Sequence, residues 1–212
     1  MIKVQRGVEP IILSRKKNAW TLALLNATTK EARKKAECKY GHPNIKKALV
    51  ALFHGKCAYC ESNIVHVDYG HIDHFRPKSI LQFKQLTFEW KNLFLACGKC
   101  NGAEYKSDRF PDQTEGGPPI NPCDDSPEVH LEFLFDITSR LATVSFKTER
   151  GRVSSDLFGL NRPDLRTHRS QTVEKLLVLA RFAATDQEAL QLLQQSQSDE
   201  AEYSAFARGI TI

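Results

Sequence analysis

His71-Ile72-Asp73-His74-Phe75-Arg76-Pro77 lies between two Cys-x-x-Cys pairs, Cys57/Cys60 and Cys97/Cys100. Paired Cys-x-x-Cys knuckles offer two thiolates each from tight turns, the donor set of a closed, tetrahedral structural zinc site. A redox dithiol needs one such pair in a βαβ setting and leaves the second unexplained. Thirty-six residues separate Cys60 from Cys97. That spacer is longer than in an ordinary zinc ribbon and leaves room for a functional insert. The Asp and His residues inside it are then available to a second, harder cation that prefers oxygen and imidazole donors.

Working outward, Asn63–Val67 and His71–Phe75 read as two short strands joined by a turn around Asp68–Gly70. Asn101–Asp108 reads as a short helix after the second knuckle. Strand, strand and helix would hold a metal between a hairpin and a helix. Alternation along a strand points His71 and Asp73 one way and His74 the other. At a twisted strand end, Asp73 can ligate a divalent cation while His74 takes a proton from water, a pairing suited to phosphodiester hydrolysis. Alone, a His-x-Asp-His string is more often a structural or solvated turn; between two knuckles that balance reverses.

Upstream, residues 16–37 read as a helix with Trp20, Leu24 and Ala27 on one face. Gly41-His42-Pro43 interrupts it, and Asn44–His54 resumes with Ile45, Ala48, Leu49 and Leu52 at helical spacing until Gly55. Downstream, Gly116-Gly117-Pro118-Pro119 marks a loop. A strand pair follows at Leu131–Phe135 and Leu141–Phe146, then helices over 171–184 and 187–195. The reading divides the chain into a basic helical region over 1–54, a core over 55–112, and a mixed, then helical region over 113–212.

A chain of 212 residues, 41% hydrophobic and 26% charged, fits a soluble globular protein with a substantial core. No apolar stretch reaches the length of a membrane span, and the first residues show no apolar signal-peptide core. Cytosolic residence is expected, and Cys38 and Cys123 are read as unpaired thiols. The net charge of +5 is unevenly spread. Residues 1–50 hold twelve Lys/Arg against three Asp/Glu, a net +9, whereas residues 171–212 hold three against six, a net −3. A basic third suits phosphate contact, and so does a solvated face of charged helices. Charge alone decides nothing here.

The string His71–Pro77, followed by Asn92-Leu93 and Cys97-Gly98-Lys99-Cys100-Asn101, resembles the HNH endonuclease family. The resemblance implies an α+β fold with a zinc-stapled ββα-metal core flanked by mainly helical regions. It implies Asp73 as a metal ligand, His74 as general base, Asn92 as the residue that holds the facing loop, and Asn101 as the second metal ligand. Cys57, Cys60, Cys97 and Cys100 would hold Zn²⁺, and Asp73 with Asn101 would hold Mg²⁺ or Mn²⁺. The family commonly has Lys three residues after its last ligand; here Glu104 stands there and Lys106 follows. Arg76, Lys78 and Lys106 are the candidate phosphate contacts. His71 either orients the site or packs as a strand residue.

Weaker likeness continues through Tyr105–Pro111, Ile120–Asp125, His130–Phe133 and Leu157–Arg162. It is to the PtuB-type HNH proteins of Septu anti-phage systems and their retron-associated relatives, which implies an ABC-type ATPase of the PtuA type as partner. The expected function is cleavage of nucleic acid, with DNA favoured, as the effector of a defence complex. Two alternatives stand beside it: a zinc-stabilised binding or assembly module without cleavage, and an HNH RNase acting on host RNA. The charge asymmetry suggests basic N-terminal helices for nucleic acid and acidic C-terminal helices for the ATPase, or N-terminal helices that dock the ATPase instead.

Overall fold

The strand that carries His71–His74 pairs downstream, not upstream. In the computed structural model, which describes residues 1–211, β1 (His71–His74) runs antiparallel to β2 (Leu93–Ala96). His71 lies opposite Ala96 and His74 opposite Leu93. This corrects the hairpin expected with Asn63–Val67. There the N–H groups of Val67 and Asp68 both return to the Ile64 carbonyl, so the segment is a turn. The physical reason is burial: Val65 and Val67 are 44% and 75% exposed, whereas all four residues of β2 are buried. A strand buried on both faces reads as a continuous apolar run, and Leu93-Phe94-Leu95-Ala96 is that run.

A second correction concerns Asn101–Asp108, expected as a helix. The segment is a chain of turns, with Asn101 N–H on the Cys97 carbonyl, Tyr105 N–H on Gly102 and Lys106 N–H on Cys100. Ser107 has a left-handed φ of 43°, which no continuing α-helix accepts. Gly102 is required by close approach, since a Cβ there would meet the Gly98 carbonyl oxygen at 2.7 Å.

Contacts divide the described residues into two units, each drawn from separate stretches of chain. One comprises Gln5–Cys57 and Ile64–Phe110. It contains β1, β2 and the helices α1 (Ile11–Leu25), α2 (Lys30–Glu37) and α3 (Pro43–Leu52). The single helix expected over 16–37 is two, because the Thr29 hydroxyl accepts the Ala32 N–H and starts a new helix. Helix α3 buries Ile45 and Leu49 and stops where His54 and Gly55 both turn left-handed.

The other unit comprises Met1–Val4, Ala58–Asn63 and Pro111 onward. It holds α4 (Pro127–His130), the antiparallel hairpin β3 (Leu131–Asp136) and β4 (Leu141–Phe146), α5 (Glu149–Leu157), α6 (Pro163–Phe182), α7 (Gln187–Ser196) and α8 (Ser204–Ala207). Helix α6 starts at Pro163, well before the expected residue 171, with proline at its first position and Asp164 in its first turn. Asp186 caps α7 by accepting from Glu188 and Ala189 N–H. Leu176, Ala183, Leu193 and Ala207 share one apolar cluster. Ile212, the last residue of the region expected over 113–212, lies outside the described residues. No helix is long and apolar enough to cross a membrane.

Candidate active site and metal centre

Each knuckle turn bends its two cysteines toward a common point. The four ligand atoms of Cys57, Cys60, Cys97 and Cys100 lie within 4.8 Å of one another. A tetrahedral zinc with Zn–S near 2.3 Å needs sulfurs roughly 3.8 Å apart, so four soft donors at this spacing fit a soft or borderline cation. The surroundings suit thiolates. Cys100 N–H donates to Cys97 Sγ at 3.3 Å, and Arg162 Nη2 lies 3.9 Å from Cys60 Sγ. Cys38 and Cys123 stand apart from this group.

The chemistry-bearing strand ends in a small polar cleft of about 150 Å³, lined by Tyr40, Asp73, His74, Lys78, Asn101 and Ser107 among others. The structure therefore brings Asp73, His74 and Asn101 to one space, although Asp73 and His74 are strand neighbours. His74 is buried, and its Nε2 lies 3.0 Å from the Thr87 carbonyl. A carbonyl oxygen only accepts, so Nε2 carries the proton and Nδ1 keeps its lone pair. Tyr40 meets the imidazole edge-on at 4.6 Å and limits its rotation. Burial, the largest influence, pulls the His74 pKa down to about 4 despite the neighbouring Asp73 carboxylate, so the ring is neutral at physiological pH.

Asn92 pins the segment between the strands. Its Oδ1 accepts the Arg76 N–H at 2.8 Å, and its Nδ2 donates to the Arg76 and Leu86 carbonyls at 3.0 and 3.2 Å. The Asn92 carbonyl accepts the Phe75 N–H. One buried amide thus satisfies both main-chain groups of the residue that follows the His74-Phe75 step. This three-bond bridge fixes where β1 ends and where His74 points.

Lys106 sits where surface reasoning would not put it. Its ammonium is fully buried and donates to Asp73 Oδ1 at 2.9 Å and to the His74 carbonyl at 2.8 Å. It faces inward, against the carboxylate expected to hold a cation, rather than outward toward a phosphate. Arg76 is exposed, with its guanidinium 5.8 Å from the Phe110 ring. Lys78 is half-buried at the cleft, 4.0 Å from Glu37 and 5.8 Å from the Tyr40 ring centre. His71 is exposed at the far end of β1.

Sequence reasoning missed Tyr40 and Thr87. Thr87 acts through its carbonyl, which every residue type possesses, and Tyr40 stands far upstream in a basic stretch. Neither leaves a local signal. The donor chemistry at the cleft fits a hard divalent cation: a carboxylate residue, Asp73, and a carboxamide residue, Asn101, line one polar space, with room for the waters that such a cation keeps.

Residues 57–107 match the family model described as HNH endonuclease. The chain carries an HNH endonuclease domain. Beyond that domain, the chain is 29% identical over 208 residues to the Septu protein PtuB of Bacillus mycoides (strain KBAB4), covering 83% of this chain and 68% of that protein. It is 30% identical over 161 residues to the Septu protein PtuB of Bacillus thuringiensis, covering 72% of this chain and 58% of that protein. A Septu protein PtuA of Bacillus mycoides (strain KBAB4) aligns at 28% identity with 73% of this chain, over 25% of its own length. No solved structure gives a significant match. The HNH match covers both knuckles, β1, β2 and the turns that end at Ser107.

Proposed function

We propose that this chain is a metal-dependent HNH endonuclease that cuts DNA as the effector subunit of an anti-phage complex with an ABC-type ATPase of the PtuA type. The observation that carries the reading is the cleft itself: His74, neutral and held by the Thr87 carbonyl, opens on the same space as Asp73 and Asn101. Zn²⁺ on Cys57, Cys60, Cys97 and Cys100 would be structural. Asp73 and Asn101 would hold Mg²⁺ or Mn²⁺, which supplies Lewis-acid neutralisation of charge on the phosphate and the leaving oxygen.

The chain's own residues do the rest. His74 Nδ1 accepts a proton from the water that attacks phosphorus, while Nε2–H on Thr87 keeps the ring in the required tautomer. The P–O3′ bond breaks, the departing 3′ oxygen takes a proton from solvent water, and the phosphate remains on the 5′ oxygen of the downstream fragment. Asn92 holds the loop that positions Arg76, and Arg76 and Lys78 neutralise flanking phosphates. Lys106 fixes the Asp73 carboxylate from behind. The PtuA alignment supports the partner. A stretch similar to this chain occurs there within a longer polypeptide, where the alignment takes up 25% of its length. A cytosolic setting, where thiols stay reduced, belongs to the same reading.

The test compares wild type with His74→Ala for nicking of plasmid DNA in Mg²⁺ or Mn²⁺, with the ATPase present. Loss of roughly a hundredfold or more is expected for removal of a general base. Equal cleavage by both would remove His74 from that role. Binding without any wild-type cleavage would favour the non-cutting module, and end-labelled DNA and RNA run side by side would identify the substrate sugar.

A further inference from the structure

The β3–β4 hairpin protects one of its edges and, among the described residues, leaves the other without hydrogen-bond partners. Along β4, side chains take the outward main-chain groups of two residues. Ser170 Oγ accepts from Ala142 N–H at 2.8 Å, and Arg169 donates to the Ala142 carbonyl through Nε and Nη2 at 3.1 and 2.6 Å. The Asn161 amide accepts from Val144 N–H at 2.9 Å and donates to its carbonyl at 2.7 Å. In an antiparallel pair, directly opposed residues turn their main-chain groups outward together. Phe133 lies opposite Val144 and Phe135 opposite Ala142. Their N–H and C=O groups therefore point away on the β3 side, and none has a hydrogen-bond partner among the described residues.

An open groove of about 1310 Å³ borders that edge, lined by Phe133, Phe135, Leu177, Val178, Phe206 and Ile210. Its wall includes apolar surface left in solvent, with Val178 51% exposed. The rim is positive. Glu174 is taken by Arg140 at 2.7 Å, while Lys175 and Arg181 form no ion pair among the described residues. Unprotected edges are an aggregation hazard that proteins ordinarily blunt, and this hairpin blunts only β4.

We propose that β3 is a docking edge for an extended segment of a partner protein, apolar at alternate positions and acidic at its flank. Two N–H and two C=O groups at strand spacing are complementary to another strand. A helix keeps its own main-chain groups and has no use for them. Alternate side chains of an added strand would fall into the groove, and Lys175 with Arg181 would favour carboxylates beside them. This docking does not rest on the nuclease reading, because it uses no residue of the cleft.

Panning a library of random peptides of about ten residues, long enough for one strand, on the full chain tests it. Enriched sequences should be apolar at every second position with Asp or Glu at one flank. A synthetic fluorescent copy should lose about tenfold in affinity on Val178→Lys, and as much when N-methylated at the residues that face β3. Val178→Lys changes a half-exposed position, and an unchanged melting temperature confirms its fold. Apolar spacing of three and four, equal binding by the N-methylated peptide, or no enrichment would each overturn the proposal. A dimer of the chain itself, abolished by Val178→Lys, would also overturn it in favour of a second copy as occupant.

Discussion

At the residue scale, the site depends on groups whose neighbours set their charge. The His74 pKa lies near 4, below the ordinary 6.5, because burial disfavours the imidazolium. The folded protein therefore stays neutral at His74 while the unfolded chain takes up a proton. Stability is full above about pH 6.5 and falls as pH drops toward 4, by about 3 kcal/mol from this group. Urea melts at pH 7 and pH 4.5 without added divalent cation should show that loss in wild type, and a smaller one in His74→Gln. Lys106 makes the converse case. Lys106→Met leaves the buried Asp73 carboxylate without its ammonium, and breaking a buried pair from one side costs about 3–5 kcal/mol. Added Mn²⁺ should restore part of that loss in a thermal melt, and the double variant with Asp73→Asn should recover more of it than Lys106→Met alone. No recovery with either would show that the pair contributes little. The residue types at this cleft were legible in the sequence: Asp73, His74 and Asn101 do face one space. The inward turn of Lys106 was not, because a lysine's direction depends on what it finds after folding.

At the element scale, the cysteine frame ties together segments with little regular structure of their own. Two four-residue strands and a string of turns cannot bury enough to stand alone. The frame is expected to supply the difference, so a metal should be linked to folding here. The native protein should contain one zinc per chain. A strong chelator, or Cys57→Ser, should lower the melting temperature sharply, with zinc restoring wild type but not the variant. An unchanged melt after complete zinc loss would remove the frame from a structural role. Strand pairing shows why elements are harder to read than motifs. Asn63–Val67 has as good a β composition as Leu93–Ala96, but only the second is apolar enough for an interior position. The helix expected over 101–108 failed for a different reason. The close approach at Gly102 and the left-handed Ser107 favour turns that carry Lys106 under Asp73.

At the scale of the whole molecule, each unit is assembled from stretches distant in sequence. Residues 171–211 are part of a core, not a detachable acidic tail: Leu176, Ala183, Leu193 and Ala207 pack together across α6, α7 and α8. Deleting residues 171–212 to test partner docking should abolish cooperative unfolding of that unit, measured by circular dichroism, before it says anything about a partner. Charge reversals at exposed positions are the better probe. A truncated chain that still melted cooperatively at the wild-type temperature would contradict this.

The sequence by itself determined the chemistry available. Two Cys-x-x-Cys knuckles, an Asp-His pair and two asparagines mark candidate metal and proton-transfer sites through residue type and spacing, which survive any arrangement of the surrounding elements. Tertiary structure alone decided which strand pairs with β1, which carbonyl fixes the His74 tautomer, which way Lys106 points, and that β3 keeps an edge open among the described residues. Each of these is settled by which main-chain groups and apolar faces meet across the fold. Main-chain groups are the same at nearly every residue, so one-dimensional spacing carries no record of their partners.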